Sequence, residues 1–196
     1  MKIQHFGKFI IGTALLAASS SSAQAAVEKY TIDTSGSHAF VQFKVNHLGY
    51  SWLHGRFNDF EGSFELDPSD HSDAEISISI DTSSVDTNHE ERDKHLKSKD
   101  FLNVKAFPNA TFKSTKVNLN SAGNGTVTGN LTLNGVTKPV TLDVNQIGFG
   151  VDPWGGYRRG YEATTTFKMA DFGMSYDLGP ASRTVEMTLS IEGIRN

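Results

Sequence analysis

The chain contains no cysteine. That excludes thiol catalysis, Fe–S clusters and cysteine-ligated zinc, and it removes the disulfide framework on which small exported domains often depend. An excess of positive charge is also missing: 18 Lys and Arg stand against 22 Asp and Glu, a formal net charge of −4. Nucleic acids and anionic membrane surfaces select basic patches, so neither is expected as a partner. No apolar run reaches the roughly 20 residues that a membrane-spanning helix needs. Tryptophan is scarce, with 2 in the chain, both in turn-rich segments. That argues against the aromatic girdles of a transmembrane barrel, the competing β reading. The G-x-S-x-G, S-x-x-K and H-E-x-x-H patterns are absent, so no hydrolase elbow or zincin site is legible.

What is present begins with an export signal. Lys2 and Lys8 form a basic n-region, Phe9 to Ala18 an apolar h-region, and Ala23-Gln24-Ala25 a small-residue cleavage site. Residues 1–25 are therefore expected to be a cleaved signal peptide, and residues 26–196 a single domain. Removing Lys2 and Lys8, with no carboxylate among those residues, takes the formal charge from −4 to −6. About 170 residues suffice for one sizeable core.

From Tyr30 onward the apolar residues recur with period two. Val41, Phe43 and Val45 alternate with Gln42 and Lys44, and Phe60, Phe64 and Leu66 share one face. So do Ile76, Ile78 and Ile80; Val127, Leu131 and Leu133; Val140, Leu142 and Val144; Tyr161, Ala163 and Phe167; and Val185, Met187, Leu189 and Ile191. Each set reads as a strand with one apolar and one wet face. Asn124-Gly125 and Asn134-Gly135 signal hairpins, and "DPSD" and "DPWGG" are further turns. Gly62 and Gly129 suggest bulges, and Pro139 a strand start or edge. About eight antiparallel strands close as a sandwich or a barrel, and the long stretches Ser51–Leu66 and Val136–Phe149 favour a barrel.

The stretch "SVDTNHEERDKHLKSKDF" (84–101) breaks the alternation. Thr87 and Glu90 form a Thr-x-x-Glu capping box, and Glu90–Lys94 and Asp93–Lys97 are i,i+4 pairs. A short polar helix follows, anchored by Leu96, Phe101 and Leu102 across the open end of the barrel. His89, Asp93 and His95 lack metal-ligand spacing, so no metal is expected. Glu61 and Glu65 lie opposite Phe60 and Phe64, which suits solvation better than paired-carboxylate catalysis.

Two segments combine aromatic and basic residues: "HLGYSWLHGRF" (47–57) and "DPWGGYRRGY" (152–161). Trp52, Arg56, Trp154 and Arg158 are candidates for a mouth that holds a polar head group. Ordinary loop packing, with arginines stacked on aromatics, explains the same residues. The inward apolar set is open to two readings, a filled core or a ligand tunnel. The expected lining is Val41, Phe43, Phe60, Phe64, Ile78, Leu131, Leu142, Phe167, Met187 and Leu189, with Phe112 also suitable. Export, the absence of catalytic motifs and a polar helix over one end favour a carrier without cofactor or enzymatic activity. A small lipid-acting hydrolase or isomerase in the same tunnel, or a stress-related interaction protein with a filled core, are the alternatives.

Four blocks carry a family resemblance: "HAFVQFKVNHLGYSWLHGRFNDFEGSFELD" (38–67), "SVDTNHEERDKHLKSKDFLNVKAFPNATFKST" (84–115), "GNLTLNGVTKPVTL" (129–142) and "DPWGGYRRGYEA" (152–163). In these the chain resembles the YceI-like, polyisoprenoid-binding family of exported bacterial proteins. The resemblance implies a lipocalin-like, antiparallel eight-stranded β-barrel with an elongated apolar pore. It also implies a periplasmic location, a bound long-chain isoprenoid of the polyprenyl or ubiquinone type, and homodimers. By that likeness the helix of residues 84–101 is a family signature and carries no catalytic role.

Overall fold

The computed structural model describes residues 26–196; the expected signal peptide lies outside them. Alternating apolar and polar residues build β1 (Glu28–Ile32), β2 (Phe40–His47), β3 (Ser51–Phe57), β4 (Phe60–Asp67) and β5 (Asp70–Asp81). There follow β6 (Val85–Asp86), the helix α1 (Glu90–Leu96), β7 (Asn109–Leu119), β8 (Gly125–Leu133), β9 (Val136–Val151), β10 (Tyr157–Lys168) and β11 (Thr184–Arg195). The strands form one antiparallel sheet in the order β1-β4-β5-β7-β8-β9-β10-β11, and β11 returns to pair with β1. Along β11, Gly193 pairs with Ile32 of β1 and Ser190 with Phe40 of β2, so β2 carries on where β1 stops. In the same way β3 pairs with β2 and β4 with β1. The result is a closed up-and-down barrel of eight staves, the first two each broken in the middle.

The breaks correct the expectation of one continuous strand over Ser51–Leu66. The chain leaves the ladder at Asn58-Asp59, where the Asn58 N–H donates to the Ser84 carbonyl at 3.2 Å and Asp59 accepts from the Asp81 N–H at 2.9 Å. Of the two glycines expected at bulges, Gly129 lies opposite one, pairing with Ser114 where the β7–β8 register shifts, while Gly62 stands in regular register with Ile78. Register shifts fall between Glu65 and Asp67, Ser114 and Lys116, and Gly160 and Tyr161. Gly129 also makes room inside the barrel, since a Cβ there would lie 2.3 Å from the ring of Phe112. A Cβ at Gly55 would likewise lie 2.3 Å from the Phe43 ring, and one at Gly62 would lie 2.6 Å from the Ser77 carbonyl.

Of the two expected Asn-Gly hairpins, Asn134-Gly135 is one, with φ of 49° and 75° between paired Leu133 and Val136. Asn124-Gly125 is not. That turn runs over residues 120–124, where the Asn120 side chain accepts from the N–H groups of Ala122 and Asn124 at 2.9 and 3.1 Å. Gly123, with φ of 76°, supplies the left-handed position. Pro139 lies on a locally one-sided run of β9, because the β9–β10 ladder ends at the pair Asp143–Thr164.

The apolar faces point inward and form one core running from Tyr30 to Leu102 and Met174. The outer face carries polar pairs such as Thr128–Thr141 and Thr132–Thr137, with hydroxyls 3.0 and 2.8 Å apart. A transmembrane barrel needs the reverse arrangement. Among the described residues no helix is long and apolar enough to cross a membrane.

The helix α1 lies across one end, held by buried Phe101 and Leu102 and half-buried Leu96. Its cap differs from the expected box. His89 is the N-cap, its Nδ1 accepting from the Arg92 N–H at 3.2 Å. Thr87 is instead buried and bonded to the Asp93 carboxylate through both its N–H, at 2.9 Å, and its hydroxyl. Asp93 is thereby engaged away from Lys97, and neither expected i,i+4 pair closes to salt-bridge distance among the described residues.

Candidate functional site

An up-and-down barrel sends alternate connections to opposite ends. Residues 48–50, 82–108, 134–135 and 169–183 gather at one end, and residues 68–69, 120–124 and 152–156 at the other. The two long connections share the first end, and they form a lid with an opening in it.

Behind that opening the apolar faces enclose an upper chamber of about 140 Å³. Its walls include eight of the expected lining residues: Val41, Phe43, Ile78, Leu131, Leu142, Phe167, Met187 and Leu189. Phe112, Val85, Val140 and Val185 join them, and Leu96, Phe101, Leu102, Met169 and Met174 close the top from the lid. A second chamber of about 80 Å³ lies below, lined by Phe64, Leu66, Ile76, Val127, Val144, Tyr161, Ala163 and Ile191 among others. Ile78, Leu142 and Leu189 face both chambers and so form a septum between them. Phe60 packs against the core but lines neither chamber, which corrects its assignment. The upper walls are apolar except for Thr165, whose hydroxyl donates to the Thr141 carbonyl at 2.8 Å where β9 and β10 part.

The lower chamber ends in a polar floor. Tyr30, fully buried, stacks on Phe64 with ring centroids 4.7 Å apart, and Phe64 meets Tyr161 edge-on at 5.6 Å. Beneath these rings lies Arg159, only 4% exposed. Its guanidinium donates to the Tyr30 hydroxyl at 3.3 Å, to Gln146 Oε1 at 3.2 Å and to Glu28 Oε2 at 3.4 Å. Burial, with the Glu28 carboxylate accepting its proton, pushes the Tyr30 phenol up to about 12. Burial works to raise the Glu28 carboxyl too, but the bonds from Tyr30 and Arg195 and the charge of Arg159 outweigh it and hold the carboxyl below its usual value. Among the described residues the buried Tyr161 hydroxyl makes no hydrogen bond, and burial raises its pKa.

The four expected mouth residues separate. Trp52 does line the opening, a basin shared with His47, Leu48, His54, Thr87, Glu91, Arg92, His95, Tyr176 and Ser182. Lys44 Nζ lies 4.4 Å over the Trp52 ring. Arg56 does not line it; Arg56 turns to Asp86 on the outer surface, 3.5 Å away. Trp154 and Arg158 lie at the opposite end. On β11, Val185 pairs with Val45 beside the mouth while Ile194 pairs with Arg158, a separation of about 30 Å at strand rise. The parity of the connections carries this in the sequence, whereas composition makes the two aromatic-basic segments look alike.

Arg158 is fully engaged where it stands. It bonds Asp33 at 2.6 Å and Asp152 at 2.7 Å, and it also bonds Glu192. The Arg158 guanidinium and the Gly36 N–H hold the Asp33 carboxyl well below the ordinary carboxylate range. Asp33, His38 and Glu192 are close enough to share a metal ion, but the Arg158 guanidinium already pairs with both of the carboxylates. The helix groups do not converge on a metal either. His89 caps α1, Asp93 binds Thr87, and His95 Nε2 lies 3.2 Å from Asp100.

Three comparisons bear on this architecture. A Pseudomonas aeruginosa protein described as "UPF0312 protein" is 57% identical over 185 residues, 94% of each chain. The crystal structure of Burkholderia cenocepacia BcnA superposes with a TM-score of 0.71 at 21% identity, covering 82% of this chain and 98% of that one. A domain from Saccharophagus degradans, described as a polyisoprenoid binding domain implicated in plant cell wall breakdown, gives a TM-score of 0.63 at 17% identity, over 85% of this chain and 98% of its own. At those identities the two structures support the fold alone. The YceI-like domain matches residues 30–193, nearly all of the barrel, and the chain belongs to the YceI-like family.

Proposed function

We propose that the protein is a periplasmic binding protein that holds a long-chain isoprenoid lipid, of the polyprenyl or quinone type, inside the barrel. The observation that carries this reading is the pair of apolar chambers stacked behind an open mouth. The export signal supports the location, and the polyisoprenoid-binding description of the Saccharophagus degradans domain supports the ligand class. The energetics suit an unbranched path: each buried methylene contributes about 0.8 kcal/mol, set against the ordering of a flexible chain. No hydrogen bond is needed along the way. Several isoprene units exceed the room in chambers of about 140 and 80 Å³, so the chain enters as Phe43, Met187 and the septum side chains change rotamer. Among the upper-chamber lining the Thr165 hydroxyl is already bonded to the Thr141 carbonyl, and no acid–base pair lines that chamber beside it, which favours holding over turnover.

The second reading is an interaction protein whose barrel is merely filled, and the small size of the chambers is the observation in its favour. Detergent-free purification from the periplasm, solvent extraction and mass spectrometry of co-purifying lipids separate the two. A stoichiometric isoprenoid supports the carrier. A clean apo mass with no uptake of added lipid overturns it.

A further inference from the structure

Arginines in this protein come with carboxylates, with one exception. Arg56, Arg158, Arg159, Arg183 and Arg195 each lie within salt-bridge distance of an Asp or Glu. Among the described residues Arg92 alone has no such partner, and it is the arginine that lines the mouth. Its side chain is nonetheless fixed. Nε donates to the Thr87 hydroxyl and Nη2 to the Thr87 carbonyl, both at 2.7 Å. Thr87 is in turn buried and clamped by Asp93. One edge of the guanidinium is thus used for positioning, while Nη1 makes no hydrogen bond among the described residues.

The surroundings define what that free edge meets. Leu96, one turn along the same helix face, and Phe101 line both the basin and the upper chamber, so Arg92 borders the tunnel itself. A guanidinium presents several planar donors and no acceptor, and it pairs best with oxygen acceptors. At the far end Arg159 lies behind the rings of Tyr30, Phe64 and Tyr161, already bonded to Glu28 and Gln146. In the lower chamber the Tyr161 hydroxyl is spare, but it lies at the end away from the mouth, whereas Arg92 stands at the opening, where a polar head keeps contact with water while the tail enters. Two carboxylates, Glu91 and Asp177, also line the basin, with Asp177 3.8 Å from Arg183. They disfavour a head bearing several negative charges.

We propose that Arg92 reads the head group of the bound lipid, selecting an uncharged oxygen acceptor such as a quinone carbonyl or a prenol hydroxyl over a pyrophosphate. This rests on the carrier reading above and gives the family's helix a task, with Thr87 and Asp93 as positioning residues behind it.

The test is a panel with matched C20 tails: a prenylated benzoquinone, geranylgeraniol, geranylgeranyl pyrophosphate and the hydrocarbon phytane. Affinities are measured by displacement of a fluorescent probe for the wild-type protein, Arg92→Leu and Arg92→Gln. The wild-type protein is expected to bind quinone and alcohol about tenfold to a hundredfold more tightly than phytane, the range for a hydrogen bond to a charged group. Arg92→Leu abolishes that preference and leaves phytane affinity unchanged. Arg92→Gln, whose amide still reaches Thr87, keeps the comparison readable if the leucine variant fails to fold. Equal loss for phytane and quinone, no loss for either, or tighter wild-type binding of the pyrophosphate overturns the assignment to Arg92. Wild-type protein that binds none of the four, phytane included, overturns the carrier reading itself.

Discussion

Shortening Leu142 to alanine opens the septum between the two chambers, because this side chain faces both. The substitution removes three carbons, about 2.4 kcal/mol of transfer free energy at 0.8 kcal/mol per methylene. Buried Leu→Ala changes cost about 2.7–5.0 kcal/mol in well-packed surroundings. Leu142 has voids on two sides and forfeits fewer contacts, so the loss is expected at about 2–3 kcal/mol. For a domain of this size that lowers Tm by about 5–10 °C. It also joins chambers of about 140 and 80 Å³, bringing the cavity towards the lower bound of ordinary ligand pockets, about 300 Å³. A lipid at about a hundredfold its Kd stabilises the folded state by about 2.7 kcal/mol, enough to offset the substitution. The assay is thermal denaturation of wild-type protein and Leu142→Ala against isoprenoid alcohols of increasing length. The variant is expected to begin less stable, to recover most of the loss with lipid, and to favour a longer chain than wild type does. A variant that loses stability, regains none with any lipid and keeps the wild-type length preference would refute a ligand path through the septum.

Further substitutions probe the same barrel. Val144→Phe fills the lower chamber, so binding of short chains should persist while long chains lose affinity at least tenfold in the displacement assay. Gly129→Ala places a methyl 2.3 Å from the Phe112 ring; overpacking of this kind costs about 1–3 kcal/mol, read in urea unfolding. Asp33 has a lowered folded pKa, so its contribution is fully present above the unfolded value near 3.9 and is lost as pH falls through the folded value. Asp33→Asn should therefore be less stable at neutral pH and show a shallower acid limb in unfolding free energy against pH. Tyr30, raised to about 12, contributes below the unfolded value near 10 and loses that contribution as pH rises through its folded value. Tyr30→Phe should flatten that alkaline limb.

The alternation made the inner and outer faces legible in the sequence, because a stave with one wet side has little freedom of register. That is why nine of the lining residues, eight in the upper chamber and Phe64 in the lower, stood out from period two alone. Met169 and Met174, which close the chamber from the lid, sit in a connection without periodicity, where only the fold gives them a direction. The misread cap has a similar origin. Thr87 has the right spacing for a capping box, but it serves Asp93 and Arg92 instead, a tertiary demand that local pattern does not register. Trp154 and Arg158 share the composition of the mouth segment, and only the number of chain reversals between the two segments puts them at the other end.

The pairing of β1 with β11 also governs when the barrel comes into being. Tyr30 and Arg195 are partners in the ladder, so closing the ring joins positions 165 residues apart, at a chain entropy of about 4–5 kcal/mol. Until β11 docks, β1 and β10 each present an open edge, ready to pair with another chain. Such a ring has no stable half. The polypeptide stays unlocked until β11 arrives, and an early stop before it leaves an open sheet with two edges free to aggregate.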